Sequence, residues 1–393
     1  MSDKKKHISF HRYWIGQKEK REILDTLDSG WITTGPKTRK FEEKFASYVR
    51  ANHAVGLTSG TAALHLSLLA LGIGKGDEVI TTPMTFVATV NAIIYTGARP
   101  VLVDVEPDTL NISSRLIEKK INRRTKAILP VHYAGQPCDM ENILRIARRH
   151  RLFIVEDAAH ALESEYKGRK IGSISDLTCF SFHPIKNITT GEGGMVTTNN
   201  AKLADRVRIL RLHGMDKSAW KRYEKEKFRH WDMTCLGYKY NMTDIQASLG
   251  IHQLDRAEYF WNKRKRLAAR YDSILKMEDD IIILPEAEAE NRNAYHLYPV
   301  RIRTENLKIG RDEIIDRLLS KNISASVHFR AVHQFSFYRK YLSLTKTELE
   351  RAEYASDRLI SLPLYPRMSV DEADYVASSL RYIVRHAAKN RRR

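Results

Sequence analysis

Between residues 40 and 210 the apolar positions switch repeatedly between two spacings. Stretches 40–50, 61–71, 87–95, 140–150 and 202–212 repeat every three to four residues, the period of a helix, and Gly72 supplies the second with a stop. Short, nearly continuous apolar runs at 78–81, 100–104, 126–131, 152–157, 177–182 and 195–198 alternate with them and read as buried strands. That alternation predicts a mostly parallel sheet covered by helices on both faces. Ligands of such sheets bind beyond the carboxyl ends of the strands. Asp157 closes one apolar run and Lys186 follows shortly after another.

Past residue 215 the pattern changes. Residues 216–231 are polar and charged, with Trp220, Tyr223 and Phe228 among them, and read as a long surface excursion. Residues 243–271 predict a long amphipathic helix or a kinked pair, 294–302 and 324–329 predict strands, and 311–319 and 370–384 predict helices. The expected organisation is an N-terminal arm (1–12), a large α/β domain (13–255), a smaller α+β domain (256–388) and a basic tail (389–393). No repeats or low-complexity segments interrupt it.

Composition alters this picture in one respect. With 66 Lys and Arg against 47 Asp and Glu the chain carries a formal charge of +19, which suits either nucleic acid or the steering of a small anion into a cleft. The basic residues are scattered (4–6, 123–124, 148–149, 263–266, 391–393) without a zinc-finger or RNA-recognition signature, so no specific nucleic-acid partner is expected. No run approaches the roughly 20 apolar residues of a membrane helix, and the basic N-terminus has no apolar stretch behind it. Cys138, Cys179 and Cys235 lie far apart, which predicts neither disulfides nor a metal site. A cytoplasmic protein without membrane contact is the expectation.

Lys186 carries the strongest chemical signal, in Ser181-Phe-His-Pro-Ile-Lys186-Asn-Ile-Thr-Thr-Gly-Glu-Gly-Gly194. A lysine amine is strongly hydrated; held at a strand end and partly desolvated, it loses charge and becomes a nucleophile toward an aldehyde. A Schiff-base lysine and an acid facing a pyridinium nitrogen, here Asp157, are the pair that pyridoxal phosphate (PLP) requires. Ser59-Gly60-Thr61 opens a helix and offers free amides to a phosphate, although alone it reads more readily as an ordinary cap. Ser181 adds a hydroxyl near the lysine. Phe86, beyond a strand end, suits ring stacking or core packing, and His160 suits a bond to the ring oxygen or a satisfied core position. Two other glycine-rich stretches fail as nucleotide loops. Residues 72–76 follow a helix instead of opening one, and residues 30–38 place a proline before the lysine with no strand ahead.

These motifs together resemble the DegT-type sugar-nucleotide aminotransferases. The likeness is carried by Glu156-Asp-Ala-Ala-His160, the Ser181 to Gly194 run and Gly237-Tyr-Lys-Tyr-Asn-Met-Thr-Asp-Ile-Gln-Ala247. Ser29-Gly-Trp-Ile-Thr-Thr-Gly-Pro-Lys37, Pro130-Val-His-Tyr-Ala-Gly135 and Val327-His-Phe-Arg330 agree. The resemblance runs from about residue 8 to 385 and implies a fold-type I PLP enzyme, the aspartate-aminotransferase fold. It implies a homodimer with active sites at the subunit interface and L-glutamate as amino donor. It makes Lys186 the Schiff-base lysine, Asp157 the pyridinium partner, His160 the residue beside the ring oxygen, and Ser59, Gly60, Thr61 and Ser181 the phosphate binders. Many members carry Gly-x-Asn-x-Arg where this chain has Lys239 and Asn241, so either residue is a candidate to reach the neighbouring subunit's site.

The expected acceptor is a nucleotide-linked keto sugar. The forms around Trp31 and Lys186 resemble branches that aminate C4 of UDP-linked sugars for lipopolysaccharide or other surface glycans. Thr33, Thr34 and Ser181 are candidates for the sugar, His328 and Arg330 for the diphosphate or base, and Tyr338 is a further substrate candidate. Two rivals remain open at this level: a PLP-dependent sugar dehydratase, and a basic regulatory or nucleic-acid-binding protein on a vestigial enzyme fold. The family's dehydratases carry histidine in place of the lysine, and Lys186 argues against that branch.

Overall fold

The computed structural model describes residues 7–216, 231–342 and 348–389. Helices α1 (Gln17–Asp28) and α2 (Pro36–Val49) precede strand β1 (His53–Leu57), helix α3 (Gly60–Ala70), β2 (Glu78–Thr81), α4 (Val87–Tyr95) and β3 (Arg99–Leu102). There follow α5 (Ser114–Ile117), β4 (Thr125–Leu129), α6 (Met140–His150), β5 (Phe153–Asp157), the small hairpin β6 (Glu165–Tyr166) and β7 (Arg169–Lys170), β8 (Leu177–Ser181), β9 (Gly194–Thr198) and α7 (Ala201–Leu210). The C-terminal part holds α8 (Asp244–Asp255), α9 (Ala257–Leu275), β10 (Ile282–Ile283), β11 (Tyr298–Ile302), α10 (Arg311–Ser320), α11 (Ser336–Tyr341), α12 (Glu350–Ser356), β12 (Leu359–Leu362) and α13 (Val370–Ala387).

Seven strands form the central sheet in the order β1-β9-β8-β5-β4-β2-β3. Neighbours pair in parallel except at β9, which runs antiparallel to both β1 and β8. The mostly parallel sheet expected from the apolar runs is the observed one, with both faces covered. On one face α3 lies almost wholly buried, and its Leu64, Leu66 and Leu68 are 3% exposed or less. Each such side chain contributes roughly 1.5–3 kcal/mol of burial, which explains why this helix is apolar all round instead of striped. On the other face Phe41 and Phe45 of α2 meet Phe180 and Phe182, with the Phe45 and Phe180 rings 5.0 Å apart and edge-on. Asp244, inside one of the family-like motifs, is a structural residue. Its carboxylate accepts from the amides of Gly35, Lys37 and Thr38 at 2.8, 3.0 and 2.9 Å, and so caps the N-terminus of α2.

The second sheet, β10-β11-β12, is antiparallel and packs with α9, α10 and α13 around Tyr271, Tyr298 and Leu380. The helical pattern over 243–271 resolves as the kinked pair, α8 and α9, broken at Arg256. That break falls at the proposed boundary between units 13–255 and 256–388. Two expected strands differ. Only Tyr298–Ile302 of 294–302 is a strand, and 324–329 makes a single isolated bridge, Ser326 to Ser361. The neighbouring backbone groups there go to Ile8 of the N-terminal arm, whose carbonyl accepts from the Ser324 amide at 2.9 Å. Most of the expected excursion at 216–231 lies outside the described residues. Among the described residues no helix is long and apolar enough to cross a membrane.

Candidate active site

Because β1, β8 and β5 run the same way, their carboxyl ends meet at one edge, and the reversed β9 brings its start to that edge. Register places Leu57, Gly194 and Ser181 side by side, with Asp157 beside Cys179 one strand further on. From β8 the chain leaves as the loop 182–193 and returns as β9. Both roots of the loop are tied: the Phe182 amide donates to the Gly193 carbonyl (2.9 Å) and the Thr190 amide to the Phe182 carbonyl (3.0 Å). Lys186 projects from this loop into a cavity of about 430 Å³.

That cavity brings together Ser59, Gly60, Thr61, Phe86, Asp157, His160, Ser181, Lys186 and His328. Lys186 is half-buried at the cavity, and desolvation lowers its amine to about 8, with the Asp157 charge working the other way. Asp157 is 5% exposed. Its Oδ2 accepts from Thr89 Oγ1 at 2.7 Å and its Oδ1 from the Ala159 amide at 3.1 Å. Burial still pushes the carboxyl above its ordinary range against those bonds. A cation placed opposite is what would keep it ionised.

At the other end of the cavity Ser59 Oγ caps α3 through the Ala62 amide (3.1 Å), and the amides of Gly60 and Thr61 have no acceptor inside the helix. Glycine is required here by space. A Cβ on Gly60 would come within 2.9 Å of Ser181 Cβ, and one on Gly194 within 2.3 Å of the Ser59 carbonyl oxygen. His160 packs on Phe329 (centroids 5.7 Å, 16°) and on His296 (4.2 Å, 33°). Its Nδ1 is buried and has no partner among the described residues. Burial holds it neutral, far below the usual imidazole range, and the Lys186 charge adds to this. His328 is lowered to about 4 by burial and then by Lys186. Phe86 is 59% exposed and tilts toward Phe329 at 6.2 Å.

These observations fit pyridoxal phosphate. A glycine cradle at a helix N-terminus suits its phosphate, a desolvated acid suits its ring nitrogen, and a partly neutral amine suits its aldehyde. Behind the site, Glu156 is fully buried. Burial opposes its charge, but bonds from His132 Nε2 (2.8 Å), Ser175 Oγ (2.5 Å) and Thr178 Oγ1 (2.9 Å) prevail and hold its carboxyl below the ordinary range.

Other sequence candidates lie elsewhere. Thr34 is buried and accepts from Asn241 Nδ2 at 2.6 Å while its own hydroxyl donates to the Met242 carbonyl. Neither Thr34 nor Asn241 lines the cavity of its own chain, whereas Thr33 and Lys239 are exposed. Arg330 is exposed, donates to the Gln334 carbonyl (3.0 Å) and lies over Phe335. Tyr338 corrects the expectation most clearly. It is 3% exposed, its hydroxyl donates to Asn91 Oδ1 at 2.5 Å, and it packs in the core beside α4. Sequence reasoning missed Thr85, Thr89, His183, Glu192, His296 and Phe329, which also line the cavity. The hydroxyls at 85 and 89, one helical turn apart beyond β2, were a readable signal for the first two. His296 was hidden in an expected strand.

Comparison with known proteins agrees with this geometry. The DegT/DnrJ/EryC1/StrS aminotransferase family matches residues 14–381. An uncharacterized protein of Methanocaldococcus jannaschii, MJ1066, is 50% identical over 370 residues, 94% of this chain and 96% of its own. Spore coat polysaccharide biosynthesis protein SpsC of Bacillus subtilis is 46% identical over 374 residues, 95% of this chain and 96% of its own. The PLP form of a putative sugar aminotransferase from Streptococcus pneumoniae, Spr1654, superposes with a TM-score of 0.90 at 35% identity, covering 98% of this chain and 100% of that one. The fold is therefore fold-type I, as the motifs implied.

Proposed function

The chain belongs to the DegT/DnrJ/EryC1/StrS aminotransferase family, and from that premise we propose that it moves the amino group of L-glutamate to a keto carbon, C4 by our reading, of a UDP-linked sugar. Pyridoxal phosphate is its cofactor. When bound, the cofactor supplies a ring that takes up the electron pair left on the amino-acid carbon.

The chain's own residues do the rest. Lys186 offers an amine that exchanges its proton near pH 8, suited to covalent attachment and to taking and returning the proton at the reacting carbon. Asp157, oriented by Thr89 and Ala159, would hold the proton on the ring nitrogen. Ser59, Gly60, Thr61 and Ser181 would hold the phosphate, Phe86 would pack on the ring and His160 would bond its oxygen. Ser181 and His328, which line the cavity, are our candidates to contact the substrate, and the motif likeness adds Thr33 for the sugar and Arg330 for the diphosphate, both exposed outside it. In a homodimer either Lys239, which is exposed, or Asn241, whose amide nitrogen bonds Thr34 while its oxygen has no partner among the described residues, is a candidate to reach the neighbouring subunit. The likeness to a spore coat polysaccharide protein supports a role in surface glycan synthesis, lipopolysaccharide included, on cytoplasmic nucleotide sugars.

One observation carries the reading: the Lys186 amine and the buried Asp157 carboxylate share a single cavity closed by a helix N-terminus. Purified protein with PLP should show the absorption band of lysine-bound cofactor, and Lys186→Ala should not. Glutamate and a panel of nucleotide keto sugars should then release 2-oxoglutarate and an amino sugar. No 2-oxoglutarate with any member of the panel would overturn the assignment.

A further inference from the structure

Behind Lys186 lies a buried polar row that the reaction as described does not use. Glu163, Asn187 and His296 are 0, 7 and 3% exposed. A carbonyl can only accept, so the group of Asn187 that lies 3.1 Å from the Ala294 oxygen is its amide nitrogen, which also donates to Glu163 Oε2. The amide oxygen of Asn187 therefore faces His296 Nδ1 at 2.8 Å, and the proton in that bond belongs to the histidine. His296 is left with a bare Nε2, which has no partner among the described residues. Its ring lies against His160, centroids 4.2 Å apart, and both rings border the cavity that holds Lys186.

We propose that Glu163, Asn187 and His296 are positioning residues for this site: the row locks the His296 proton on Nδ1 and presses an uncharged imidazole against His160, fixing the ring that faces the cofactor. The proposal rests on the cofactor reading above. Arg264, 1% exposed, braces the row. Its Nη1 donates to the carbonyls of His296 (3.1 Å) and Leu364 (2.8 Å), holding the backbone that carries the imidazole. Its charge also faces Glu163, whose carboxyl burial lifts to about 7. Burial, then the charges of Lys186 and Arg264, keep His296 neutral. Asn187 follows Lys186 directly, so the same bonds pin the backbone from which the amine projects. A cationic His296 would set a positive charge beside His160 and Lys186.

The tautomer is read on the wild-type, cofactor-free protein by 15N NMR of labelled histidine, with His296→Gln assigning the signal; a neutral Nδ1–H form from pH 6 to 8 is expected. In the holoenzyme, Asn187→Ala should still form the lysine-bound cofactor band, with its titration midpoint displaced by about one pH unit. Its kcat should fall roughly 10-fold or more while KM for glutamate stays within about 2-fold. Glu163→Gln keeps an acceptor for Asn187 and should stay within about 3-fold of wild type in kcat. A cationic or Nε2–H His296 overturns the proposal. So does an Asn187→Ala enzyme with unchanged kcat and band titration. A wild type with no cofactor band would instead sink the function reading, and the tautomer would still judge the row.

Discussion

Lys186→Met should make the cofactor-free protein more stable. Moving the amine from 10.5 to about 8 is a penalty of about 3 kcal/mol on the folded state at neutral pH, at roughly 1.4 kcal/mol per unit. Part of this is screened in the wild type, because the side chain is only half-buried and open to the cavity. The net gain for methionine is therefore about 1–3 kcal/mol. The sign follows from proton counting. Between pH 8 and 10.5 the unfolded chain binds more protons at this lysine than the folded one, so wild-type stability from this group rises with pH across that window. The methionine variant lacks that slope, and its advantage should be full below pH 8 and vanish near 10.5. Thermal melts of both cofactor-free proteins, taken at matched pH from 7 to 10.5, read the gap directly as a shift of a few degrees. A variant that melts below wild type at pH 7, or a gap that does not close with rising pH, would refute the claim that the amine is desolvated in the folded state.

Thr89→Val removes the 2.7 Å bond to Asp157 Oδ2 and should lower kcat by roughly 10- to 100-fold, the effect of losing about 1.5–3 kcal/mol of charge-assisted bonding; single-turnover rates check it. Gly60→Ala drives a methyl to within 2.9 Å of Ser181 Cβ, so PLP titration should show affinity weakened by roughly 10-fold or more, with about 1–3 kcal/mol lost from the fold. Tyr338→Phe should leave KM for the sugar nucleotide unchanged, because the hydroxyl is bonded to Asn91, and should lower stability by about 1 kcal/mol in a thermal melt.

The sheet and the heart of the site were readable because they follow from burial alone. Strands covered on both faces must be apolar throughout, and a polar residue closing such a run, like Asp157, marks the edge where chemistry sits. Helices Val87–Tyr95 and Met140–His150 came out at their observed bounds for the same reason. Helix α1 was missed because its side chains are mostly polar, with few apolar positions to set a period. Strand β1 was missed because His53 and Gly56 interrupt a five-residue run. The substrate candidates were harder. Thr33 to Arg330 were placed by likeness of motif, and a motif does not say whether a side chain points into its own cavity. Thr34 and Asn241 show the difficulty, since their mutual bond decides their direction and neither spacing nor composition encodes it. His296 was invisible because its role depends on a partner 109 positions away.

The loop 182–193 leaves one strand and returns to the next at the same edge, with both roots hydrogen-bonded to each other. The Lys186 nitrogen is thus carried on a closed handle, and its reach beyond the backbone is set by four methylenes. Such a handle is portable. Exchanging these twelve positions with those of a relative would transplant the nucleophile without redrawing the scaffold that receives it.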